Sequence, residues 1–337
     1  MLKRGIPVAE ITFIQLIIVV LLALGFDFVN GFHDTANAVA TCLATGALAP
    51  RPAVCLAAAM NFLGALTFTG VAGTIAEGIV SAKALGGDLH IIATALAAAT
   101  VWNLLTWALG LPSSSSHALI GALSGAALAA VGPEAVNTDG FADILRALLL
   151  SPLLAGCAGF IVTGVMRLLF PAHHGGRQRR RFQALQRAVA AGQAFAHGTN
   201  DAQKTMGVIT LALMAAGHQS APSVPLWVRV ASALALALGT SLGGWRIIKT
   251  VGTGITRLTP LTGLGADLAS TLVILGATFC RLPVSTTHVI SSSITGAGTS
   301  DGPGAVRWPT VAAIISAWLL TLPAAAALGA FFYRFPV

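Results

Sequence analysis

Seven long apolar runs, spread from one end of the chain to the other, leave few folds open to it. They fall at about residues 11–29, 53–80, 89–110, 144–170, 226–248, 268–280 and 311–332. Most are close to the roughly 20 residues a helix needs to cross a bilayer. Only 9% of the 337 residues are charged and 55% are hydrophobic, whereas a soluble domain carries about 25% charged residues. So little polar surface cannot keep such a core in water. The expected class is an all-α polytopic membrane protein, and its environment is a cell membrane, crossed several times.

The formal net charge of +8 does not imply a nucleic-acid partner. The arginines and lysines lie mainly between the apolar runs, where they orient a membrane chain, and basic residues are not interleaved with stacking aromatics. Cys42, Cys55, Cys157 and Cys280 stand singly in apolar sequence and read as small buried hydrophobes rather than a metal site or disulfide frame. Lys3 and Arg4 precede an apolar run in the manner of a signal peptide, but that run leads into Asp27, Asn30, His33 and Asp34 without a small-residue cleavage site. It reads as a first span that is retained.

Residues 171–187 are the clearest soluble stretch, with Arg177, Arg179, Arg180, Arg181 and Arg187. By the positive-inside rule they form a cytoplasmic connecting loop. They divide the chain into residues 1–170 and 188–337, and these halves echo each other. Residues 28–37 read FVNGFHDTAN and 195–204 read FAHGTNDAQK, which aligns Asp34 with Asp201 at an offset of 167 (201 − 34). LPSSSSH at 111–117 and LPVSTTH at 282–288 repeat at an offset of 171 (288 − 117). Two motifs recurring in one order at nearly one separation indicate internal duplication. Loop charge implies that the copies are inverted. Arg51 and the Arg246, Lys249 and Arg257 region would face inside, while residues 134–143, with three acids and no base, and residues 217–225 would face outside. The N-terminus is then external, against Lys3 and Arg4. Inverted repeats with polar breaks at the midplane are a recurring transporter plan.

Asp34 and Asp201 lie within apolar helical sequence beside Gly31 and Gly198. A carboxylate at the bilayer centre costs about 2.5–3.5 kcal/mol on insertion scales, so it faces a partner or a watery cavity. The glycines would permit a local helix break and close backbone approach. Lys204 follows Asp201 by three residues and shares its helix face. It either attracts an anion, or supplies the positive charge a bound cation would otherwise bring, or forms a buried ion pair that only ties helices together. Its counterpart in the first half is the neutral Asn37.

Pro112 and Pro283 would each end one helix and open the next. Ser113, Ser114, Ser115 and Ser116, or Ser285, Thr286 and Thr287, then fill the first turn. Free N–H groups, hydroxyls and the helix dipole would converge there on an oxyanion, although Ser and Thr are favoured as ordinary N-caps in any case. His117, His288, His33 and His197 read as hydrogen-bonded packing residues that are also ready proton carriers. No G-x-S-x-G, C-x-x-C, H-E-x-x-H or Walker sequence occurs, so neither enzyme nor cofactor chemistry is expected, and any transport would run on a gradient.

GFHDTANAVAT at residues 31–41 and GTNDAQKTMG at 198–207 resemble the paired signatures of the inorganic phosphate transporter (PiT) family. The two LP-x-S-[ST]-[ST]-H segments resemble the tips of its re-entrant helical hairpins. The resemblance runs in order along nearly the whole chain. It implies a symporter of phosphate with a cation, with discontinuous helices in two inverted repeats. Asp34, Asn37, Asn200 and Asp201 would then belong to the central substrate and cation region. Ser114, Ser115, Ser116, Ser285, Thr286 and Thr287 would line the phosphate.

Sodium-coupled members tend to carry N-D-x-x-N in both signatures. Here Lys204 stands at the second Asn position, which resembles the compact, bacterial, low-affinity members of the inner membrane. That implies coupling through Asp34, Asp201 and Lys204 to protons rather than sodium, and cargo that includes neutral metal–phosphate complexes. A homo-oligomer is compatible with the sequence.

Sulfate transport on the same scaffold is the nearest alternative. Phosphate keeps a proton at neutral pH that an aspartate can accept in a hydrogen bond, whereas sulfate offers none. An anion channel would need a continuous polar pore, and a hydrolase a complete triad.

Overall fold

The computed structural model describes residues 8–170 and 176–335; Lys3 and Arg4, and residues 171–175 of the basic connection, lie outside them. The first half contains α1 (Val8–His33), α2 (Thr35–Thr45), α3 (Pro50–Ala65), α4 (Gly70–Gly78), α5 (Leu89–Leu109), α6 (Ser115–Ala130) and α7 (Thr138–Leu169). The second contains α8 (Gly176–Ala215), α9 (Leu226–Leu242), α10 (Trp245–Lys249), α11 (Pro260–Phe279), α12 (Thr286–Thr299) and α13 (Trp308–Arg334). Short 3-10 turns, Pro133–Ala135 and Pro303–Ala305, precede α7 and α13. The described residues form no sheet, as a lipid-facing backbone requires when every N–H and C=O must be satisfied within its own helix.

Five helical stretches among the described residues are long and apolar enough to cross a membrane, or seven if each of two bent pairs counts as one span. The bends correct two expected spans. The run at 53–80 is divided into α3 and α4 at 71°, and the run at 226–248 bends by 64° between α9 and α10. Gly243, with φ 73°, makes the second bend, a conformation a side chain would strain. The run at 268–280 is too short as expected. α11 begins at Pro260, behind a capping box in which Thr259 and Thr262 satisfy each other's backbone N–H groups.

The connecting segment is not a loop from Gly176 onward. Arg177, Arg179, Arg180, Arg181 and Arg187 are exposed on the first turns of α8, which then runs for 40 residues through the second signature.

Polarity is distributed opposite to a soluble protein. Leu168, Leu319 and Leu153 are 84%, 69% and 67% exposed, while Asp27, Asn30, His33, Asn61, Asn103, Gln193 and His197 are 0% exposed. An apolar outer surface suits lipid, and the polar interior must therefore find its own partners. The cysteines divide the same way. Cys42 is buried, but Cys55, Cys157 and Cys280 are exposed on the outer surface, contrary to the expectation that all four are buried.

The halves interlock. α1 packs on α9, α8 on α3, α13 on α6 and α7 on α12, each pair drawn from both halves. Gly31 and Gly198 make two of these crossings possible, because a Cβ at either would strike a carbonyl oxygen, Leu236 or Asn61 respectively. Local structure recurs as the sequence does. Gly132 and Gly302 both have φ 109° before the 3-10 turns, and isolated bridges join Val80 to Val136 and Thr256 to Val306.

Candidate functional site

Both signatures and both hairpin tips meet in the interior. The first signature breaks its helix: α1 ends at His33, Asp34 sits at the junction (φ −95°, ψ 5°), and α2 starts at Thr35. The second does not, since α8 passes through Asp201 uninterrupted. The expected helix break therefore occurs in one half only. In both halves the signature glycine serves close packing.

Asp34 connects the two tips. Its carboxylate accepts from Ser115 Oγ of α6 at 3.4 Å and from Thr287 Oγ1 of α12 at 3.3 Å. His33 Nδ1 lies 2.7 Å away and His197 Nε2 lies 4.0 Å away. His33 is oriented from behind by Thr106 Oγ1 at 3.2 Å and Ser113 Oγ at 3.3 Å.

Asp201 touches neither tip. Lys204 Nζ is 2.9 Å from one of its oxygens, and the other accepts from Asn30 Nδ2 at 3.3 Å and faces His197 Nε2 at 3.4 Å. His197 is held by Asn61 Oδ1 at 3.0 Å.

The counterpart residues reach opposite tips. Asn37 Nδ2 donates to Thr287 Oγ1 at 2.9 Å and Thr286 Oγ1 at 3.5 Å, while Lys204 Nζ donates to Ser115 Oγ at 3.5 Å. All these side chains are 3% exposed or less. Charge-assisted hydrogen bonds in such a dry setting are roughly twice as strong as neutral ones.

Four expected site residues are engaged in building the tips. Ser114 and Ser285 are N-caps that accept from the backbone N–H of His117 and His288, each at 3.2 Å, so capping holds in both halves. Ser116 Oγ donates to the Val284 carbonyl at 3.0 Å and thereby joins the tips. Asn200 donates to Leu282 O and Thr278 Oγ1, each at 3.2 Å, and accepts from Val284 N at 3.3 Å. It braces the second tip.

Pro112 and Pro283 sit before the caps rather than in the first turns: α6 starts at Ser115 and α12 at Thr286. Behind the tips the rings of His117 and His288 lie 4.6 Å apart, and His288 stacks on Trp318 at 4.0 Å.

The sequence reading did not assign Asn30, His33 and His197 to the site. The signal was available, since all are polar residues within apolar runs one turn from Asp34 or Asp201. Asp34, His197 and Asp201 bring one ligand atom each within 4.8 Å of one another, a spacing that suits a cation. Lys204 already puts an ammonium beside one of the three.

A model of the phosphate transporter family matches residues 30–175 and 171–329. The chain belongs to the phosphate transporter family. A probable low-affinity inorganic phosphate transporter of Bacillus subtilis (strain 168) is 52% identical over 325 residues, covering 96% of this chain and 98% of that one. The probable low-affinity inorganic phosphate transporter of Mycobacterium tuberculosis (strain ATCC 25618 / H37Rv) is 46% identical over 321 residues, 94% of this chain and 76% of its own. A solved sodium-dependent phosphate transporter matches with a TM-score of 0.85 at 25% identity, covering 95% of this chain and 98% of that one. These relatives are transporters, not enzymes, and membership makes this chain a multi-pass cell-membrane protein.

Proposed function

We propose that this family member imports inorganic phosphate by symport with protons, with neutral metal–phosphate complexes among its cargo, through two inverted repeats. One observation carries the phosphate reading: hydroxyls of both hairpin tips, Ser115 and Thr287, converge on the Asp34 carboxylate. Donors that serve one carboxylate from two sides are placed to serve a tetrahedral oxyanion, with Asn37 and Lys204 reaching the same hydroxyls. Asp34 itself accepts the hydrogen bond that phosphate, unlike sulfate, still has a proton to give.

Lys204 supports proton coupling. Its ammonium lies 2.9 Å from Asp201, and a sodium ion among Asp34, His197 and Asp201 would meet a like charge at short range. Sodium coupling is the second reading, favoured by the sodium-dependent structural relative and by the Asp34, His197 and Asp201 trio.

Inversion is supported by which ends share a face. Gln183 of α8 donates to Thr45 and Gly46 after α2, and Arg179, Arg257 and Arg307 share one cavity of about 840 Å³ with Thr45. Asn137 shares a different cavity with Ala215 and Gln219, near the end of α8. The corresponding helix ends of the two halves thus join different neighbourhoods, the arginine-lined one cytoplasmic by its charge.

The test is uptake of labelled phosphate into proteoliposomes. Saturable uptake that collapses with an uncoupler and is not displaced by excess sulfate is expected. Equal transport of sulfate would contradict the cargo, and uncoupler-insensitive, non-saturating flux would indicate a channel. Sidedness is read separately, in a background with Cys55, Cys157 and Cys280 replaced. Asp139→Cys should react with an impermeant thiol reagent on intact cells and Arg179→Cys should not; the reverse pattern overturns the orientation.

A further inference from the structure

The described residues include four fully buried aspartates, Asp27, Asp34, Asp201 and Asp267, and three of them are partnered. Asp34 has His33, Ser115 and Thr287. Asp201 has Lys204 and Asn30. Asp267 accepts from Thr41 Oγ1 at 2.6 Å and Gln186 Nε2 at 3.2 Å. Asp27 is 0% exposed, neither of its oxygens makes a hydrogen bond of good geometry, and its nearest polar side chains are the neutral Thr205 and Asn30. An ionised carboxylate in that position would bear a desolvation cost that two neutral side chains and a lysine already paired with Asp201 offset only in part.

Its surroundings define what it can do. Asp27 lies on α1, two turns before Asp34, and faces Asn30 on its own helix and Asp201, Lys204 and Thr205 on α8. Asn30 Oδ1 and Thr205 Oγ1 are themselves buried without partners. Beside the paired Asp201, Asp27 is thus a second carboxylate with no cation of its own, to which Thr205 and Asn30 offer only neutral groups. Among the described residues the cation near it is Lys204, which is committed to Asp201 at 2.9 Å. Charged groups of the other helices packed on α1 are engaged elsewhere: Arg229 of α9 donates to the Leu66 carbonyl, and His90 of α5 packs against Tyr333. One proton on Asp27 would remove the uncompensated charge and supply an O–H donor to Asn30 or Thr205.

We propose that Asp27 is the residue that carries the coupling proton, taking it up on a carboxyl oxygen beside the Asp201–Lys204 pair and releasing it on the opposite side in each transport cycle. This rests on the proton-symport reading above. It places the proton off the phosphate-contacting groups, since Asp27 touches neither hairpin tip. Phosphate binding and proton carriage are therefore separable by mutation. The loaded site would cross with Asp27 protonated, and the empty site would return only after Asp27 has released that proton, which ties net movement to the pH gradient.

The experiment compares wild type and Asp27→Asn in proteoliposomes, in two modes. Net phosphate uptake driven by an inward proton gradient should fall at least tenfold in the variant. Exchange of external for internal phosphate at equal pH, which needs no net proton movement, should continue. Asp27→Glu, which restores a titrating carboxyl, should regain gradient-driven uptake. Undiminished gradient-driven uptake in Asp27→Asn, or loss of exchange in folded variant protein, overturns the proposal. Wild-type uptake that ignores pH and follows sodium instead overturns the proton-symport reading itself. Should Asp27→Asn fail to fold, infrared spectra decide: wild type should show a protonated-carboxyl band that is displaced in Asp27→Glu, and a band unchanged between the two is contrary.

Discussion

At the first signature the helix breaks on Asp34, and the buried junction lets one carboxylate take hydroxyls from both hairpin tips. At the second, α8 continues unbroken, and Asp201 turns to the lysine one turn away on its own helix, with Asn30 and His197 as its other neighbours. Duplicated sequence has thus produced one aspartate that organises the tips and one that is neutralised beside them. A symmetric pair of ionised carboxylates would repel an anion from both sides. In the proposed proton symport, the positive charge that Lys204 fixes beside Asp201 would make the site tolerant of an anion and stand in for a metal cation there.

The largest effect should come from breaking the neutralised side. Lys204→Ala leaves Asp201 buried without its cation, with Asn30 and His197 as its remaining neighbours, and loss of one partner of a buried pair costs about 3–5 kcal/mol. Thermal unfolding in detergent should show it, while Asn37→Ala, at the matching position, should be far milder. Equal losses at both positions would erase the distinction.

The organising side should show its effect in transport instead. Asp34→Asn weakens two hydroxyl contacts to a charged acceptor, so uptake should fall at least about a hundredfold. Asp201→Asn, which contacts neither tip, should lower it less.

The tip hydroxyls come next. Ser115→Ala or Thr287→Ala removes one donor from a desolvated anion, a loss of about 1.5–3 kcal/mol, or roughly tenfold or more in apparent affinity for phosphate. Thr286→Ala, at the longer Asn37 contact of 3.5 Å, should cost less. Unchanged affinity in all three would reduce the tips to caps.

The smallest effects belong to the two caps. Ser114→Ala and Ser285→Ala each remove an N-cap worth about 1 kcal/mol of stability. Both caps accept at 3.2 Å, but Ser114 Oγ also bonds His117 Nδ1 at 2.8 Å, so the loss at Ser114 should be the larger; equal losses would show that the ring contact contributes nothing.

Much of this site could be read from the sequence because membrane burial makes polar residues conspicuous. Asp34, Asp201, Lys204 and the paired tips stood out as charges and hydroxyls inside apolar runs. Less legible was whatever depends on neighbours rather than on type. Ser114 and Ser116 look alike, yet one caps α6 and the other crosses to Val284. Asn200 sits in a signature but is consumed by the hairpin backbone.

The start of α11 was hidden because Thr262, Gly263, Gly265 and Asp267 make its first turns look polar, although all four are buried. A hydropathy window cannot distinguish an interior polar face from a loop. The bends after α3 and α9 were invisible for the converse reason, since apolar sequence continues through both.

In the proposed cycle Lys204 occupies, as a fixed charge, the role a coupling sodium would otherwise fill. Wild-type phosphate uptake into proteoliposomes under separately imposed gradients decides whether it does. Uptake should follow an inward proton gradient at zero sodium and ignore a sodium gradient at fixed pH. Uptake that follows sodium at fixed pH would contradict it.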